Sequence, residues 1–312
     1  MAEYLSVRCI VEALHKRLGL GWLAGRSGQT RRIRAQSNDP GSRSLVGHLN
    51  LIHPNQIQVL GNAELHYLNT LRKHSRHDVL EQLFCNQTVM LIICDDQCPS
   101  HGLVTLADKT HLPLLQSALP SHELISCLRY FFSNRLAETT VVHGVFMEVI
   151  GAGLLITGQS GIGKSELALE LISRGHRLVA DDAPNFARIT PETLRGSCPH
   201  ILEDFLEVRG LGVLNIRALF GDSAIKSSKY LHLIIDLCAQ DQLTVDALDR
   251  LNGICYTRTI LGLDIPVIAL PVAPGRNLAV MVETAVRNHL LRMKGYYAGD
   301  DLAARQRRAM QA

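Results

Sequence analysis

The sequence predicts an α/β fold divided into two domains. Its 312 residues correspond to about two domains at roughly 150 residues each. Short apolar segments of strand-like composition alternate with segments whose apolar residues recur at helical spacing, which is typical of α/β proteins. In the second half, an apolar strand runs directly into a glycine-containing turn and then into a helix, at 154–174. We place the domain boundary near Ser133, which gives a smaller N-terminal α/β domain, 1–132, and a C-terminal domain, 133–312.

In the N-terminal domain, the spacing of apolar residues distinguishes helices from strands. The apolar residues of Ser6–Leu18 lie on one face of a helix, and the following Gly19 is a residue that commonly ends one. The segment Gly25–Arg43 is rich in glycine, serine and arginine, and we predict a loop or an edge strand there. The remaining predicted elements are strands at Ile57–Leu60 and Val89–Cys94 and helices at Asn62–Leu71 and Ser121–Ala137.

The C-terminal domain is predicted to begin with two strands, Val141–Val149 and Gly151–Thr157, which Gly151 separates into a hairpin. A helix follows at Ser165–Arg174, and Gly175 marks its end. The chain then returns as a strand over 177–182. Near the C-terminus, the apolar spacing of Met281–Met293 predicts another helix.

Charge and composition exclude several classes of protein. The formal net charge is only +3, whereas nucleic-acid-binding domains are usually strongly basic. The apolar runs fall short of the roughly 18–20 residues that a membrane helix needs, and the N-terminus lacks the apolar stretch of a signal peptide. The eight cysteines are scattered and contain no CxxC pair, so we expect reduced thiols rather than a zinc site. These features predict a cytoplasmic protein that binds neither nucleic acid nor membranes.

The most specific motif is a phosphate loop after the second strand. The segment fits G-x-x-x-x-G-K-[ST] at every fixed position. Its residues are Gly158, Gln159, Ser160, Gly161, Ile162, Gly163, Lys164 and Ser165. Successive backbone N–H groups in such a loop point inward at an anion, and the helix N-terminus adds its positive end. We expect Lys164 to reach the β- and γ-phosphates of a nucleotide and the Ser165 hydroxyl to bind Mg²⁺.

Two adjacent carboxylates, Asp181 and Asp182, end the strand that follows the helix. In a right-handed crossover this strand joins the same sheet, and its carboxyl end opens on the same edge as the phosphate loop. Carboxylates at that edge can serve Mg²⁺ and a proton transfer. If the strand stays extended, the two side chains point to opposite faces and have different roles. Asp236, after the apolar run Leu231–Ile235, is a second candidate for the acidic site.

Several short segments around these residues occur together in a fixed order. They are Val142-His143-Gly144-Val145, Gly158–Ser165, Gly175–Asp182, Glu207-Val208-Arg209-Gly210-Leu211-Gly212 and Pro274–Asn277. Together they resemble the HPr kinase/phosphorylase family. The segment Val46–Asn55 is similar to that family's N-terminal domain, so the resemblance covers nearly the whole chain. The stretch 207–212 is specific to the family, whereas the phosphate loop is shared by many.

The resemblance implies a bifunctional enzyme that regulates carbon metabolism. Such an enzyme phosphorylates a serine of HPr, the phosphocarrier of the sugar phosphotransferase system, with ATP or pyrophosphate and Mg²⁺. It also removes that phosphate with inorganic phosphate, releasing pyrophosphate. The family implies a homohexamer, and a C-terminal phosphate-loop kinase domain that resembles the core of phosphoenolpyruvate carboxykinase. It leaves the role of the N-terminal domain open.

The resemblance also implies roles for individual residues. Lys164 and Ser165 match the phosphate-loop lysine and metal ligand, and Glu207 matches an acidic residue that also serves the metal. Asp182 matches the carboxylate that takes the proton from the acceptor serine and returns it in the reverse reaction; how Asp181 shares this work is left open. His143 matches an active-site histidine, and Arg250 matches an arginine that contacts phosphate. Where the family usually carries a basic residue important for phosphorolysis, this chain has Ala273.

Two other functions are compatible with a phosphate loop. The first is a small-molecule kinase or a carboxykinase-like transferase, which would release ADP with metabolites but not with HPr. The second is a non-catalytic nucleotide sensor, in which replacement of Asp182 would leave the activity intact.

Overall fold

A computed structural model describes residues 4–35, 44–84, 88–239 and 255–311 of the chain. The chain divides into two compact units, Met1–Ala137 and Glu138–Ala312. Ser133, near which the sequence analysis places the boundary, lies in the last helix of the first unit. Arg250 and Cys85 lie outside the described residues.

The first unit is built on a five-stranded sheet with the strand order β2-β7-β6-β5-β4. Strands β4 to β7 are mutually parallel, and β2 is antiparallel to β7. The elements of this unit are, in chain order, β1 (Tyr4–Ser6), α1 (Val7–Leu18), β2 (Gly21–Ala24), β3 (Arg32–Arg34), β4 (Val46–His48), β5 (Ile57–Leu60), α2 (Asn62–Thr70), α3 (Lys73–Phe84), β6 (Met90–Ile93), α4 (His101–Thr110), β7 (Leu114–Gln116) and α5 (Ser121–Arg135).

Local signals in the sequence account for most of these elements. Helix α1 begins after Ser6, whose side chain accepts a hydrogen bond from the Cys9 amide, and it ends at Gly19 in the left-handed conformation. The predicted strands at β5 and β6 and helices at α2 and α5 are confirmed to within a few residues. The segment predicted as a loop or edge strand contains a 3₁₀ turn, Arg26–Thr30, and the edge strand β3, which pairs with β1.

One carboxylate, that of Asp95, binds the N-termini of two helices at the carboxyl edge of this sheet. Asp95 Oδ2 accepts from the Asn62 amide at 3.0 Å, and Asp95 Oδ1 accepts from the Ser121 amide at 2.8 Å. These amides begin α2 and α5, where helix N–H groups otherwise have no partner. The side chain of Asp95 therefore occupies the place between two helix N-termini that a bound anion takes in other α/β proteins.

The second unit contains, in chain order, β8 (Thr139–Val141), β9 (Val145–Val149), β10 (Ala152–Gly158), α6 (Lys164–Ser173), β11 (Arg177–Ala180), β12 (Asn185–Thr190), β13 (Thr193–Ser197), β14 (Phe205–Val208), β15 (Gly212–Asn215), α7 (Ile216–Phe220), β16 (Ser228–Ala239), β17 (Cys255–Ile260), β18 (Leu263–Val272), α8 (Leu278–Met293) and α9 (Ala298–Gln311). Nine of the described strands form one sheet with the order β11-β9-β10-β16-β13-β12-β8, in which β18 also pairs with β16, and β17 pairs with β18.

The start of this unit differs from the sequence prediction. The hairpin of β9 and β10 is confirmed, but the predicted strand Val141–Val149 is two strands, β8 and β9. They separate because β8 pairs with β12 near one end of the sheet, whereas β9 pairs with β10 and β11. The chain turns between them at Gly144, which has a φ of 150°.

Strand order brings the ends of β10 and β11 to one edge of the sheet. Strand β9 runs antiparallel to both of them, so β10 and β11 point in the same direction. Strand β16 lies on the other side of β10 and is parallel to it. The carboxyl ends of β10, β11 and β16 therefore open on the same side, as the sequence analysis predicts for the phosphate loop and the two aspartates.

Apolar side chains cover both faces of this sheet. On one face, α6 and α8 pack against alternate residues of β9, β10 and β16 in a single buried cluster. On the other face, the rings of Phe146 and Phe186 meet edge to face with their centroids 5.1 Å apart. Of the described helices, none is long and apolar enough to cross a membrane. The cysteines that the structure describes are all free thiols.

Gly196 provides a test of the packing around the two phenylalanines. A Cβ at Gly196 would lie 2.3 Å from a carbon of the Phe146 ring, so we predict that Gly196→Ala lowers the free energy of unfolding by about 1–3 kcal/mol. Gly102→Ala is the control, because Gly102 lies in α4 and a Cβ there meets nothing within 4 Å. Alanine favours a helix by up to about 1 kcal/mol over glycine. Urea unfolding curves in which Gly196→Ala matches the unmodified chain would contradict this packing.

Candidate phosphate-transfer site

The phosphate loop leaves β10 at Gly158 and enters α6 at Lys164. Gly161 and Gly163 have φ values of 78° and 100°, in the region that side chains other than glycine rarely adopt. These values turn the backbone between strand and helix. Lys164 Nζ donates to the carbonyl oxygens of Gly158 at 3.0 Å and Gln159 at 2.9 Å. The lysine ammonium group therefore lies across the loop, where phosphate oxygens would be bound.

The acidic pair follows β11 in a turn, and this corrects the sequence prediction. The strand ends at Ala180, and Asp182 adopts a φ of 61°, so the two carboxylates do not alternate along an extended strand. The Asp182 carbonyl oxygen accepts from the Gly144 amide at 3.1 Å, which ties the turn to the residue before β9. The two side chains still have different surroundings, since Asp182 is 80% exposed and Asp181 is partly buried.

A separate hairpin brings Glu207 to the turn that contains Asp181 and Asp182, which we call the acidic turn. Strands β14 and β15 pair with each other, and Leu206 and Val208 of β14 are buried. Because side chains alternate along a strand, Glu207 points to solvent between them. The Glu207 amide donates to Asp181 Oδ2 at 2.9 Å. This bond places the family-specific segment 207–212 next to Asp181.

These segments surround one cleft of about 450 Å³. It is lined by the phosphate loop and the start of α6, by the acidic turn, by the hairpin tip and by the turn before β9. The lining residues are Gly144, Val145, Ser160, Gly161, Gly163, Lys164, Ser165, Glu166, Asp181, Asp182, Glu207, Val208, Arg209, Gly210 and Gly212. The structure therefore brings together Lys164, Ser165, Asp181, Asp182 and Glu207, as the sequence analysis expects.

The other candidate residues are placed less directly. His143 Nδ1 lies 3.7 Å from Asp182 Oδ1, and both side chains are largely exposed. Asp236 is near the end of β16 and is absent from the cleft lining within the described residues. Arg250 lies outside those residues, so its contact with phosphate stays a prediction.

Burial raises the pKa of the Asp181 carboxyl above its ordinary value. Backbone hydrogen bonds from Glu207 and Asp182 oppose this shift, and the neighbouring charges of Asp182 and Glu207 add to it. Three carboxylates thus lie close together at one side of the cleft. A cation in the cleft would reduce the repulsion among these carboxylates.

Arg209 lies in the family-specific segment 207–212, but the sequence alone suggests no role for it. A Cβ at Gly161 would lie 3.3 Å from Arg209 Nη1, so the guanidinium reaches from the hairpin to the phosphate loop. Arg217, just after β15, donates to Asp204 at 2.6 Å and 3.0 Å and also pairs with Asp222. It anchors the base of the same hairpin. The family-specific sequence marked this segment, but only the fold shows what these arginines contact.

The residues of the cleft fit a metal ion that protein side chains and a nucleotide phosphate coordinate together. The described residues contain no group of three or more His, Cys, Asp or Glu side chains that could hold a metal ion unaided. Ser165 and Glu207 both line the cleft, and phosphate oxygens can complete the coordination of Mg²⁺. The chain therefore offers a site for a metal bound together with phosphate.

The buried Asp181 makes stability depend on pH in a defined direction. The pKa of Asp181 is raised, so the folded state is favoured while its carboxyl is protonated. This stabilisation is complete below the ordinary pKa near 4 and is lost as the pH rises through the raised value. Asn cannot ionise, so Asp181→Asn should gain stability relative to the unmodified chain between about pH 4 and pH 7. Thermal melting without metal measures this difference. Asp182→Asn, at an exposed site, is the control; equal pH dependence of both variants would contradict the burial.

Comparison with known proteins places the chain in a family. Residues 5–132 match the family model "HPr Serine kinase N terminus", and residues 134–306 match "HPr Serine kinase C-terminal domain". Proteins named HPr kinase/phosphorylase from Stenotrophomonas maltophilia (strain K279a) and Xylella fastidiosa (strain M12) are each 47% identical over 296 residues, covering 95% of this chain and 94% of theirs.

A solved structure is also similar. It is the Hpr(Ser) kinase/phosphatase from Coxiella burnetii, 39% identical, with a TM-score of 0.48, covering 52% of this chain and 98% of its own. The two family models together span nearly the whole chain, and the relatives match over almost their full length. The chain is a member of the HPr kinase/phosphorylase family.

Proposed function

We propose that this protein transfers phosphate between ATP or pyrophosphate and a serine of HPr, in both directions. The observation that carries the proposal is the placement of the exposed Asp182 in the same cleft as Lys164 and the phosphate loop. A phosphate donor bound in the loop would present its terminal phosphoryl group to a carboxylate. That carboxylate is open to a protein acceptor, because its side chain is 80% exposed.

The loop supplies the binding of the donor. Its backbone N–H groups and the start of α6 hold the phosphate oxygens, and Lys164 exchanges its bonds to the loop carbonyls for bonds to phosphate. Arg209 approaches the same loop from the hairpin. Ser165 and Glu207 would hold Mg²⁺. When bound, this ion neutralises charge on the phosphates.

Asp182 supplies the proton transfer. In the kinase direction the serine oxygen attacks the terminal phosphorus, the bond from phosphorus to the bridging oxygen breaks, and Asp182 accepts the hydroxyl proton. ADP leaves when ATP is the donor, and phosphate leaves when pyrophosphate is. In the reverse direction an oxygen of inorganic phosphate attacks the phosphorus of phosphoserine, the bond from phosphorus to the serine oxygen breaks, pyrophosphate forms, and Asp182 returns the proton to the serine oxygen. His143 lies beside this carboxylate, with its Nδ1 3.7 Å from Asp182 Oδ1.

The names of the relatives support HPr as the partner. The further expectations of a homohexamer, a cytoplasmic location and a role in regulating carbon metabolism belong to this proposal. The residues named in the proposed chemistry all belong to the C-terminal unit. The Ala273 position stands in the turn after β18, and the relative rates of the two directions measure its effect.

Asp182→Asn tests the catalytic role directly. We expect incubation of the unmodified chain with HPr, ATP and Mg²⁺ to give phosphoserine, and phospho-HPr with phosphate to give pyrophosphate. The variant should lose at least about 10²-fold in both directions, because Asn cannot accept or return the proton. Glu192→Gln is a matched control, since Glu192 is an exposed residue outside the cleft. Rates are measured by phosphoserine mass spectrometry and by pyrophosphate release.

The outcomes separate the three candidate functions. Loss in both directions supports the proposal. ADP release that depends on metabolites, without any phosphoserine on HPr, would instead indicate a small-molecule kinase. ATP binding without any phosphoryl transfer by the unmodified chain would indicate a nucleotide sensor, and unchanged transfer rates in Asp182→Asn would contradict the role proposed for Asp182.

A further inference from the structure

Three side chains form a hydrogen-bonded cluster to which the proposed reaction gives no role. Thr157 Oγ1 donates to Asp236 Oδ1 at 2.7 Å, and Tyr256 OH donates to Asp236 Oδ2 at 2.9 Å. Each oxygen of the Asp236 carboxylate is thus bonded to a hydroxyl. The sequence analysis considers Asp236 as a rival acidic residue for the metal, but these contacts indicate a different task.

The cluster lies where the phosphate loop begins. Thr157 is the residue before Gly158 and is buried. In the parallel pairing of β10 with β16, Thr157 is opposite Asp236 and Gly158 is opposite Leu237. A Cβ at Gly158 would lie 2.5 Å from the Leu237 carbonyl oxygen. The first residue of the loop is therefore packed tightly against β16 just beyond Asp236.

The cluster supports the loop from the face of the sheet opposite α6. Leu154 and Ile156 of β10 pack in the apolar core that contains α6 and α8, whereas Leu155 packs in the core on the other face of the sheet. Since side chains alternate along a strand, Thr157 points to the same face as Leu155. Helix α6 thus holds one end of the loop from one face, and the Thr157–Asp236–Tyr256 cluster holds the other end from the opposite face.

We propose that Asp236 is a positioning residue that fixes the entry of the phosphate loop through Thr157, with Tyr256 holding the Asp236 carboxylate in place. The inference rests on the proposed function, because it assigns the loop to the phosphates of ATP or pyrophosphate. A hydroxyl bonded to a carboxylate is held more strongly than one bonded to a neutral group. Partial burial, and then the bond to Asp236, raises the pKa of Tyr256 to about 12, so the phenol keeps the proton that it donates.

This role predicts an effect on phosphate binding rather than on proton transfer. If the entry of the loop shifts, its N–H groups no longer converge on the anion, and the affinity for ATP and pyrophosphate falls. Asp182 is on a different turn and keeps its position, so the rate at saturating ATP should change little. The split between KM and kcat distinguishes positioning of the loop from a general loss of structure.

The test uses the full chain with Thr157→Val and Tyr256→Phe. Pyrophosphate binding is measured by calorimetry with Mg²⁺ and no HPr, and KM for ATP is measured with HPr. We expect Thr157→Val to weaken both about 5- to 12-fold and Tyr256→Phe about 3- to 10-fold, the range that loss of one typical hydrogen bond produces. Because the two hydroxyls share Asp236, the double variant should lose less than the product of the single losses.

Two matched variants are controls. Thr157→Ser keeps the hydroxyl donor, and Tyr230→Phe removes a half-exposed hydroxyl near the other end of β16. Both should bind pyrophosphate within about twofold of the unmodified chain. Tyr256→Phe alone decides the question if Thr157→Val does not fold, as judged by circular dichroism.

Unchanged affinities in folded Thr157→Val and Tyr256→Phe would overturn this inference while leaving the proposed function standing. An equal loss with Thr157→Ser would also overturn it, because the hydroxyl would then not be the group that matters. If the unmodified chain bound neither ATP nor pyrophosphate, the proposed function would fail and this inference with it.

Discussion

The hydrogen bond from the Glu207 amide to Asp181 Oδ2 is the interaction on which the site depends. It joins two segments that the sheet alone would not bring together, the turn after β11 and the hairpin of β14 and β15. Strand order places that turn beside the phosphate loop, because β9 lies between β10 and β11 and makes them run in the same direction. The bond then adds Glu207 and Arg209 to the same cleft. A phosphate donor, its metal ion and an acceptor hydroxyl could thereby meet in one place.

Charge is distributed in this site in a way that suits phosphate transfer. The cations, Lys164 and Arg209, lie at the phosphate loop, and the carboxylates of Asp181, Asp182 and Glu207 belong to residues that line the same cleft. The chain as a whole carries a net charge of only +3, so the proposed binding of phosphate would rely on local positive groups and oriented amides instead of on a basic surface. Within the acidic turn, Asp182 is exposed and open to an acceptor, whereas Asp181 is partly buried against the protein.

Much of this arrangement could be predicted from the sequence, for physical reasons that are local. The glycines, lysine and serine of loop 158–165 predict the phosphate loop, and the spacing of apolar residues predicts the helix after it. The left-handed turn at Asp182 was not predictable in this way, because a hydrogen bond to Gly144 from another part of the chain helps to hold it. The contact of Arg209 with the loop and the bond of Tyr256 to Asp236 depend on pairings between distant strands. Periodicity within one segment carries no information about such pairings.

We propose that the phosphate loop and the acidic turn form one site for a phosphate donor and its metal ion. A crystal structure of the full chain with pyrophosphate and Mg²⁺ would show whether they do. We expect pyrophosphate inside loop 158–165 within hydrogen-bonding distance of Lys164 Nζ, with Mg²⁺ bound by Ser165 and Glu207 and with Asp182 facing the outer phosphoryl group. Pyrophosphate bound elsewhere, or bound in the loop with the metal ion away from Glu207, would contradict it.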